Sequence, residues 1–246
     1  MKRAKVTEKE ELRDRSEVFQ DRWDAGEILA GMLKPEYGGR DDVHVLAIPA
    51  GGVPVGLKVR EILNASFDLV IARKLKIPGN PEAGFGAMAY GGGRFLNEPL
   101  VSELRLDESD IEAETQVVQL ELEKRNRLFR EGRPFPNLSG RTVVLVDDGL
   151  ASGYTMLSTL RMVRDQGGRS AVVAVPTAPQ RTIDRLRTEA DEIICPNIRT
   201  GMFFAVADAY VRWYDLQEQE VLDLLAEKAS PGSGKPDRES VLSPVY

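Results

Sequence analysis

The stretch Val143-Val144-Leu145-Val146-Asp147-Asp148-Gly149-Leu150-Ala151-Ser152-Gly153-Tyr154-Thr155 constrains this fold more than any other. Four consecutive apolar residues, three of them β-branched, read as a short strand covered on both faces. Two adjacent carboxylates stand at its C-terminal end, where open α/β sheets bind ligands. Small residues and hydroxyls follow, then a helical pattern from Tyr154 onward. Asp147 and Asp148 can accept hydrogen bonds from vicinal sugar hydroxyls. The turn Ala151–Thr155 aims backbone N–H groups and the positive end of a helix at an anion. A vicinal diol close to a phosphate is a ribose 5-phosphate.

The rest of the chain alternates strand and helix signals. A helical stripe over 16–33 ends at Pro35 with Gly38-Gly39. Strand Val43–Ile48, helix Val53–Leu63 and strand Phe67–Ala72 make a βαβ unit, which implies a parallel pair. A long charged helix is expected from Ser109 to Glu131, with a capping box of Ser109 and Glu112. Beyond the strand Thr142–Val146, a helix runs to Gln166 and a strand covers Ala171–Val175. A helix over Pro179–Thr188, a short strand Glu192–Cys195 and a last helix over 217–228 complete the pattern. The fold class is therefore α/β: an open, mostly parallel twisted sheet with helices on both faces.

Residues 1–15 are almost wholly charged and read as a flexible arm, and 229–246 read as a disordered tail. Residues 75–99 hold six glycines and three prolines, which predicts a long mobile loop. A net charge of −6 gives no footprint for nucleic acid. Cys195 is the single cysteine, so no internal disulfide can form, as in a reducing cytoplasm. No apolar run approaches the roughly 20 residues that span a bilayer, and no apolar signal region opens the chain. The expectation is a cytoplasmic protein with a small-molecule substrate, without a membrane or nucleic-acid partner.

Further constellations accompany the acid pair. Ala50-Gly51-Gly52 ends a strand and opens a helix with Pro54 in its first turn, either to let amides approach an anion or only to pack a tight turn. Arg73, Lys74 and Lys76 leave the second strand on the same sheet edge. Glu82 is the one carboxylate of the glycine-rich loop before Glu98, and is either a helper of a base or metal or an exposed side chain. Phe203, Phe204, Tyr210, Trp213 and Tyr214 could stack on a flat ring or pack a small subdomain. Lys124, Arg125, Arg127, Arg130 and Arg133 read as a solvated helix face. His44 lies early in a strand, away from the ligand edge, and takes no catalytic role.

Together these motifs resemble the type I phosphoribosyltransferases. In that family an apolar strand, two acidic residues and a small-residue loop bind phosphoribosyl pyrophosphate. The resemblance is most specific to a group of bacterial and archaeal phosphoribosyltransferases of unassigned acceptor. That group shares segments like Phe19–Gly26, Ile48–Pro54, Pro78–Glu82 and Val146–Ala151. Gly149 is ordinary within this group, although the wider family carries an aliphatic residue there, so looser local packing is expected. The resemblance implies that Asp147 and Asp148 hold the ribose diol and Ala151, Ser152, Gly153, Tyr154 and Thr155 the 5-phosphate. Pyrophosphate would fall to Ala50, Gly51, Gly52, Arg73 and Lys74, in a loop that often has a cis peptide. Arg73, Lys74, Asp147 and Asp148 would be the catalytic set, with Phe203 and Phe204 near the acceptor.

It further implies Mg²⁺ as cofactor and transfer of ribose 5-phosphate to a nitrogenous acceptor such as a nucleobase. Residues 39–195 would form the core, with a hood built from 16–38 and 196–228, and dimers are common in the family. The alternative within the same resemblance is a non-catalytic regulator that senses phosphoribosyl pyrophosphate.

Overall fold

The computed structural model describes residues 3–229, apart from the side chains of Pro81, Glu82, Lys228 and Ala229. The tail expected from 229 onward lies almost entirely outside the described residues. In chain order the elements are β1 (Lys5–Thr7), α1 (Arg22–Tyr37), β2 (Val43–Ala47), α2 (Gly52–Leu63), β3 (Ser66–Leu69), β4 (Ala72–Ile77), β5 (Asn80–Ala89) and β6 (Arg94–Leu96). There follow α3 (Glu98–Glu103), α4 (Glu108–Arg130), β7 (Thr142–Val146), α5 (Tyr154–Asp165), β8 (Ser170–Ala174), β9 (Thr177–Pro179), α6 (Gln180–Leu186), β10 (Glu192–Ile194), β11 (Asn197–Arg199) and α7 (Glu218–Ala229).

The central sheet has six parallel strands in the order β1-β10-β8-β7-β2-β3. From β2 the chain crosses through α2 to β3 on one side, whereas from β7 it crosses through α5 to β8 on the other. The order reverses between the neighbours β2 and β7, and ligands of open α/β sheets bind at such a switch point. β7 is buried along its whole length. Its side chains alternate between two cores. Val143 and Leu145 pack with Met156, Leu157 and Leu160 of α5, while Val144 and Val146 pack with Val55 and Val59 of α2 and Leu29 and Leu33 of α1. This is the pattern of a strand covered by helices on both faces.

Several expectations need correction. The N-terminal segment is no arm: β1 pairs in parallel with β10, and Asn197 Nδ2 donates to the carbonyls of Leu12 and Arg15, the latter at 3.1 Å. An edge strand borrows its pairing from the sheet, so its own charged composition gives little sign of it. α1 is likewise part of the main helical layer, not of a separate hood, and Pro35 lies inside its last turn. Phe19 and Tyr210 form a parallel bridge, which joins the segment before α1 to the segment before α7.

Residues 75–99 are not a structureless loop. β4, β5 and β6 form a second, three-stranded antiparallel sheet. Glycine serves close packing there: a β-carbon on Gly86 would lie 2.3 Å from the Phe95 carbonyl. Phe85, Ala87 and Leu75 are buried beneath α4 and α5, which hold the hairpin down. The expected strand Phe67–Ala72 is accordingly split at Val70–Ile71 between the two sheets.

The cap of α4 lies at Asp107, two residues before the expected Ser109. Asp107 accepts from the Asp110 amide at 3.0 Å, and Asp110 accepts from the Asp107 amide at 3.1 Å. Both positions carry an acid three residues on, and the aspartate at the chain's entry takes the role. At the other end of α4, Arg130 is wholly buried rather than solvated. It donates to both Asp68 oxygens at 2.9 and 2.8 Å, to Asn126 at 2.8 Å and to the Pro134 carbonyl at 3.0 Å.

Candidate active site at the β2–β7 switch point

The ends of β2 and β7 bring their two loops into contact. The Ile48 amide donates to the Val146 carbonyl at 2.9 Å, which carries the ladder one residue past the end of β2. The chain then turns through a cis Pro49–Ala50 peptide into Gly51 and Gly52. A β-carbon on Gly51 would lie 1.8 Å from Asp148 Oδ2, and one on Gly52 would lie 2.9 Å from Asp147 Cα. These glycines are needed because the acid pair occupies the space. Ala50 packs partly buried against the neighbouring hydrophobic cluster.

Asp147 and Asp148 are adjacent in the chain, and Asp147 Oδ1 accepts from the Asp148 amide at 2.9 Å. Burial raises Asp147 well above the ordinary carboxylate range, and the charge of Asp148 adds to it. Burial also raises Asp148, but Arg22 opposes this. Arg22 Nε donates to Asp148 Oδ2 at 2.8 Å. Arg22 therefore biases the negative charge of the pair toward Asp148.

After β7 the chain enters the loop Ala151–Thr155. Gly153 takes a left-handed φ of 77° and caps α5. Two loop carbonyls are taken up from behind: Thr182 Oγ1 donates to Ala151 O and Arg185 Nη1 to Ser152 O, both at 2.6 Å. The amides of Ala151, Ser152 and Gly153 have no acceptor among the described residues. With two carbonyls turned away and amides unused at a helix start, the loop has the form that suits an anion. The Tyr154 hydroxyl accepts from Asn97 Nδ2 at 2.6 Å and its ring packs on Phe95.

A cleft of about 680 Å³ runs from this loop to β4. Arg73, Lys74 and Lys76 line it together with Gly149–Thr155, and Glu121 of α4 faces it as well. The structure thus brings Arg73 and Lys74 beside the loop, and Gly51 and Gly52 beside the acid pair. Burial pulls the Arg73 guanidinium below its ordinary range, while Glu121 and Glu218 push the other way.

Other expected residues stand elsewhere. Phe203 is 88% exposed, and neither it nor Phe204 lines the cleft. Tyr210 and Trp213 pack with each other at 5.1 Å, which is the packing reading of those aromatics. Gly149 does not loosen its surroundings: Val206 fills the space, 2.5 Å from where a β-carbon would stand. His44 is buried, its Nδ1 is 2.6 Å from Ser66 Oγ, and burial lowers its pKa to about 4. The side chain of Glu82 lies outside the described residues.

The sequence reasoning assigned no role to Arg22 or Glu121. Arg22 stands in the first turn of α1, 126 positions from its partner Asp148, and only its place within the shared segment Phe19–Gly26 marked it out. Glu121 lies on a helix rich in carboxylates, so nothing in its spacing distinguishes it.

Residues 24–211 match the model of the phosphoribosyl transferase domain. Two proteins of Mycobacterium tuberculosis, from strains CDC 1551 and H37Rv, bear names assigning them to the phosphoribosyl transferases. Each is 38% identical over 208 residues, covering 85% of this chain and 46% of their own length. The chain therefore spans about half the length of these curated relatives. A crystal structure of a Thermus thermophilus protein is similar with a TM-score of 0.71 and 36% identity, covering 85% of this chain and 98% of that one. No helix among the described residues is long and apolar enough to cross a membrane. By the match of its domain, the similarity of its relatives and the switch-point architecture, this chain belongs to the phosphoribosyl transferase domain family.

Proposed function

We propose that this chain transfers the 5-phosphoribosyl group of phosphoribosyl pyrophosphate to a nitrogen of a small acceptor, a nucleobase being the first class to test. The observation that carries the reading is the union, at one switch point, of an acid pair with a loop whose carbonyls are tied back by Thr182 and Arg185. A diol and a phosphate on one sugar satisfy both features at once.

In the reaction the acceptor nitrogen forms a bond to C1 of the ribose while the C1–O bond to pyrophosphate breaks. The leaving group carries away the electron pair, and the acceptor's N–H proton passes to solvent. The chain contributes position and charge. Asp147 and Asp148 fix the ring through its hydroxyls, and the Ala151–Thr155 amides hold the 5-phosphate. Gly51 and Gly52 let pyrophosphate approach the backbone, and Arg73 and Lys74 stabilise the charge that develops on it.

Mg²⁺ is compatible with these residues in a particular way. Among the described residues no group of three or more His, Cys, Asp and Glu side chains is arranged as a metal cage. An ion held mainly by donor oxygens and water, adjacent to the acid pair, fits this chain and the habits of Mg²⁺. When bound it would supply further charge neutralisation at the pyrophosphate.

The test is a screen of purines, pyrimidines, nicotinate-like rings and simple amines, with labelled donor and Mg²⁺, read as pyrophosphate release. Release that depends on one acceptor class supports transfer. Tight donor binding with no release for any acceptor would instead indicate a sensor of the same ligand.

A further inference from the structure

We propose that Arg22 is a positioning residue for the ribose site, orienting Asp148 toward the sugar hydroxyls and coupling that carboxylate to the aromatic segment 210–214. The proposal rests on the donor-site reading above and extends it to a residue outside the cleft.

Arg22 is only 6% exposed. Asp21 pins its backbone by accepting from the Trp23 and Asp24 amides, both at 3.0 Å, so the side chain leaves a fixed first turn of α1. Two of its nitrogens and its plane are engaged. Nε donates to Asp148 Oδ2 and Nη1 to the Tyr214 carbonyl, both at 2.8 Å. The Trp213 ring lies 3.9 Å from the guanidinium carbon. Tyr210 closes the circuit, donating its hydroxyl to the Asp148 carbonyl at 2.5 Å and packing on Trp213 and Phe19. The start of α1 and the 210–214 segment, far apart in the chain, therefore converge on Asp148.

Ordinary packing does not account for this arrangement. A buried guanidinium contributes little net stability over an apolar side chain of similar size, even when well paired. Its specific effect is on Asp148. With Oδ2 held by Arg22 at 2.8 Å, Oδ1 is the oxygen left to accept from a sugar hydroxyl. The guanidinium also keeps charge on Asp148 beside a second acid. A hydroxyl then donates to an anionic acceptor, the stronger kind of hydrogen bond. Arg22 thus acts through Asp148 and would touch no substrate atom itself.

The experiment measures calorimetric affinity for ribose 5-phosphate and for its dideoxy analogue lacking both ring hydroxyls, with wild type, Arg22→Gln and Arg22→Lys. Arg22→Gln is expected to weaken ribose 5-phosphate about tenfold and leave the dideoxy analogue unchanged, since only a charge-assisted hydroxyl bond is affected. Arg22→Lys keeps the charge but loses the fork, and should recover part of the loss. Equal weakening of both ligands would mean that Arg22 merely supports the fold locally, and no weakening of either would mean it does not act on the site. Either result overturns the proposal. If Arg22→Gln does not fold, Arg22→Lys carries the same test: its loss must fall on the hydroxyl-bearing ligand alone. A wild type that binds neither sugar phosphate would refute the donor-site reading itself, a result separable from any failure of Arg22.

Discussion

Gly51 lies so close to Asp148 that a β-carbon at position 51 would sit 1.8 Å from Asp148 Oδ2. The loop from β2 and the acid pair from β7 are therefore one packed unit. In Gly51→Ala the Asp148 carboxylate must swing away and break its 2.8 Å bond to Arg22. The expected result is a folded protein less stable by about 1–3 kcal/mol, the usual cost of overpacking, with donor affinity reduced at least about tenfold. Chemical denaturation and calorimetry on the same samples measure both.

A second prediction concerns pH. Burial and the neighbouring charge raise Asp147 above its ordinary value in the folded protein. Between the ordinary carboxylate range and that raised value, the native state holds a proton that the unfolded chain has released. By linkage, this group's contribution is full at low pH and is lost as pH rises through the folded value. Asp147→Asn removes the liability. It should be more stable than wild type near neutrality, with the advantage shrinking as pH falls toward about 4. Thermal melts across that range show the sign, and an advantage that grew on acidification would refute the assignment of the proton to Asp147.

The buried Arg130–Asp68 pair is a separate, purely structural commitment. Arg130→Met leaves Asp68 buried without its two-point partner, and breaking such a pair costs about 3–5 kcal/mol. Adding Asp68→Leu should recover most of that loss, since the penalty lies in the orphaned charge. Urea unfolding of the single and double variants measures it. The residue closes α4 onto β3 at a distance from the cleft, so donor binding should be unchanged.

How much of this was legible in the sequence varies with the range of the interactions concerned. Strand Thr142–Val146 is found to the residue, because an apolar β-branched run bounded by acids is a local signal. The β2–α2–β3 unit is legible for the same reason. β5 was missed because alternating glycine and alanine carry almost no hydrophobic period, and its stability comes from α4 and α5 packed over Phe85 and Ala87. β1 is paired only through the edge of β10. In the site, the carboxylates and loop glycines are sequence neighbours and stand out as a motif. Arg22 and Asp148 are 126 positions apart, and only the folded chain joins them. The same holds for Thr182 and Arg185, whose role behind the loop depends on where α6 packs.

Arg73 and Lys74 line the cleft opposite the loop Ala151–Thr155. If they stabilise departing pyrophosphate, changing both to Ala should lower kcat about 100-fold or more while KM for the donor changes little, as expected for contacts stronger in the transition state. Steady-state kinetics with the acceptor found in the screen separates the two parameters. A rise in KM at constant kcat would place these cations in ground-state binding alone.

The central claim is that Asp147 and Asp148 hold the ribose of phosphoribosyl pyrophosphate. The most direct measurement is calorimetric titration of that donor into wild type and into the folded Asp147→Asn, Asp148→Asn double variant. One charge-assisted hydroxyl bond to Asp148 at about 1.5–3 kcal/mol and one ordinary bond to Asp147 at about 0.5–1.5 kcal/mol predict a loss of at least about 30-fold in affinity. A folded double variant that bound the donor as tightly as wild type would contradict the account.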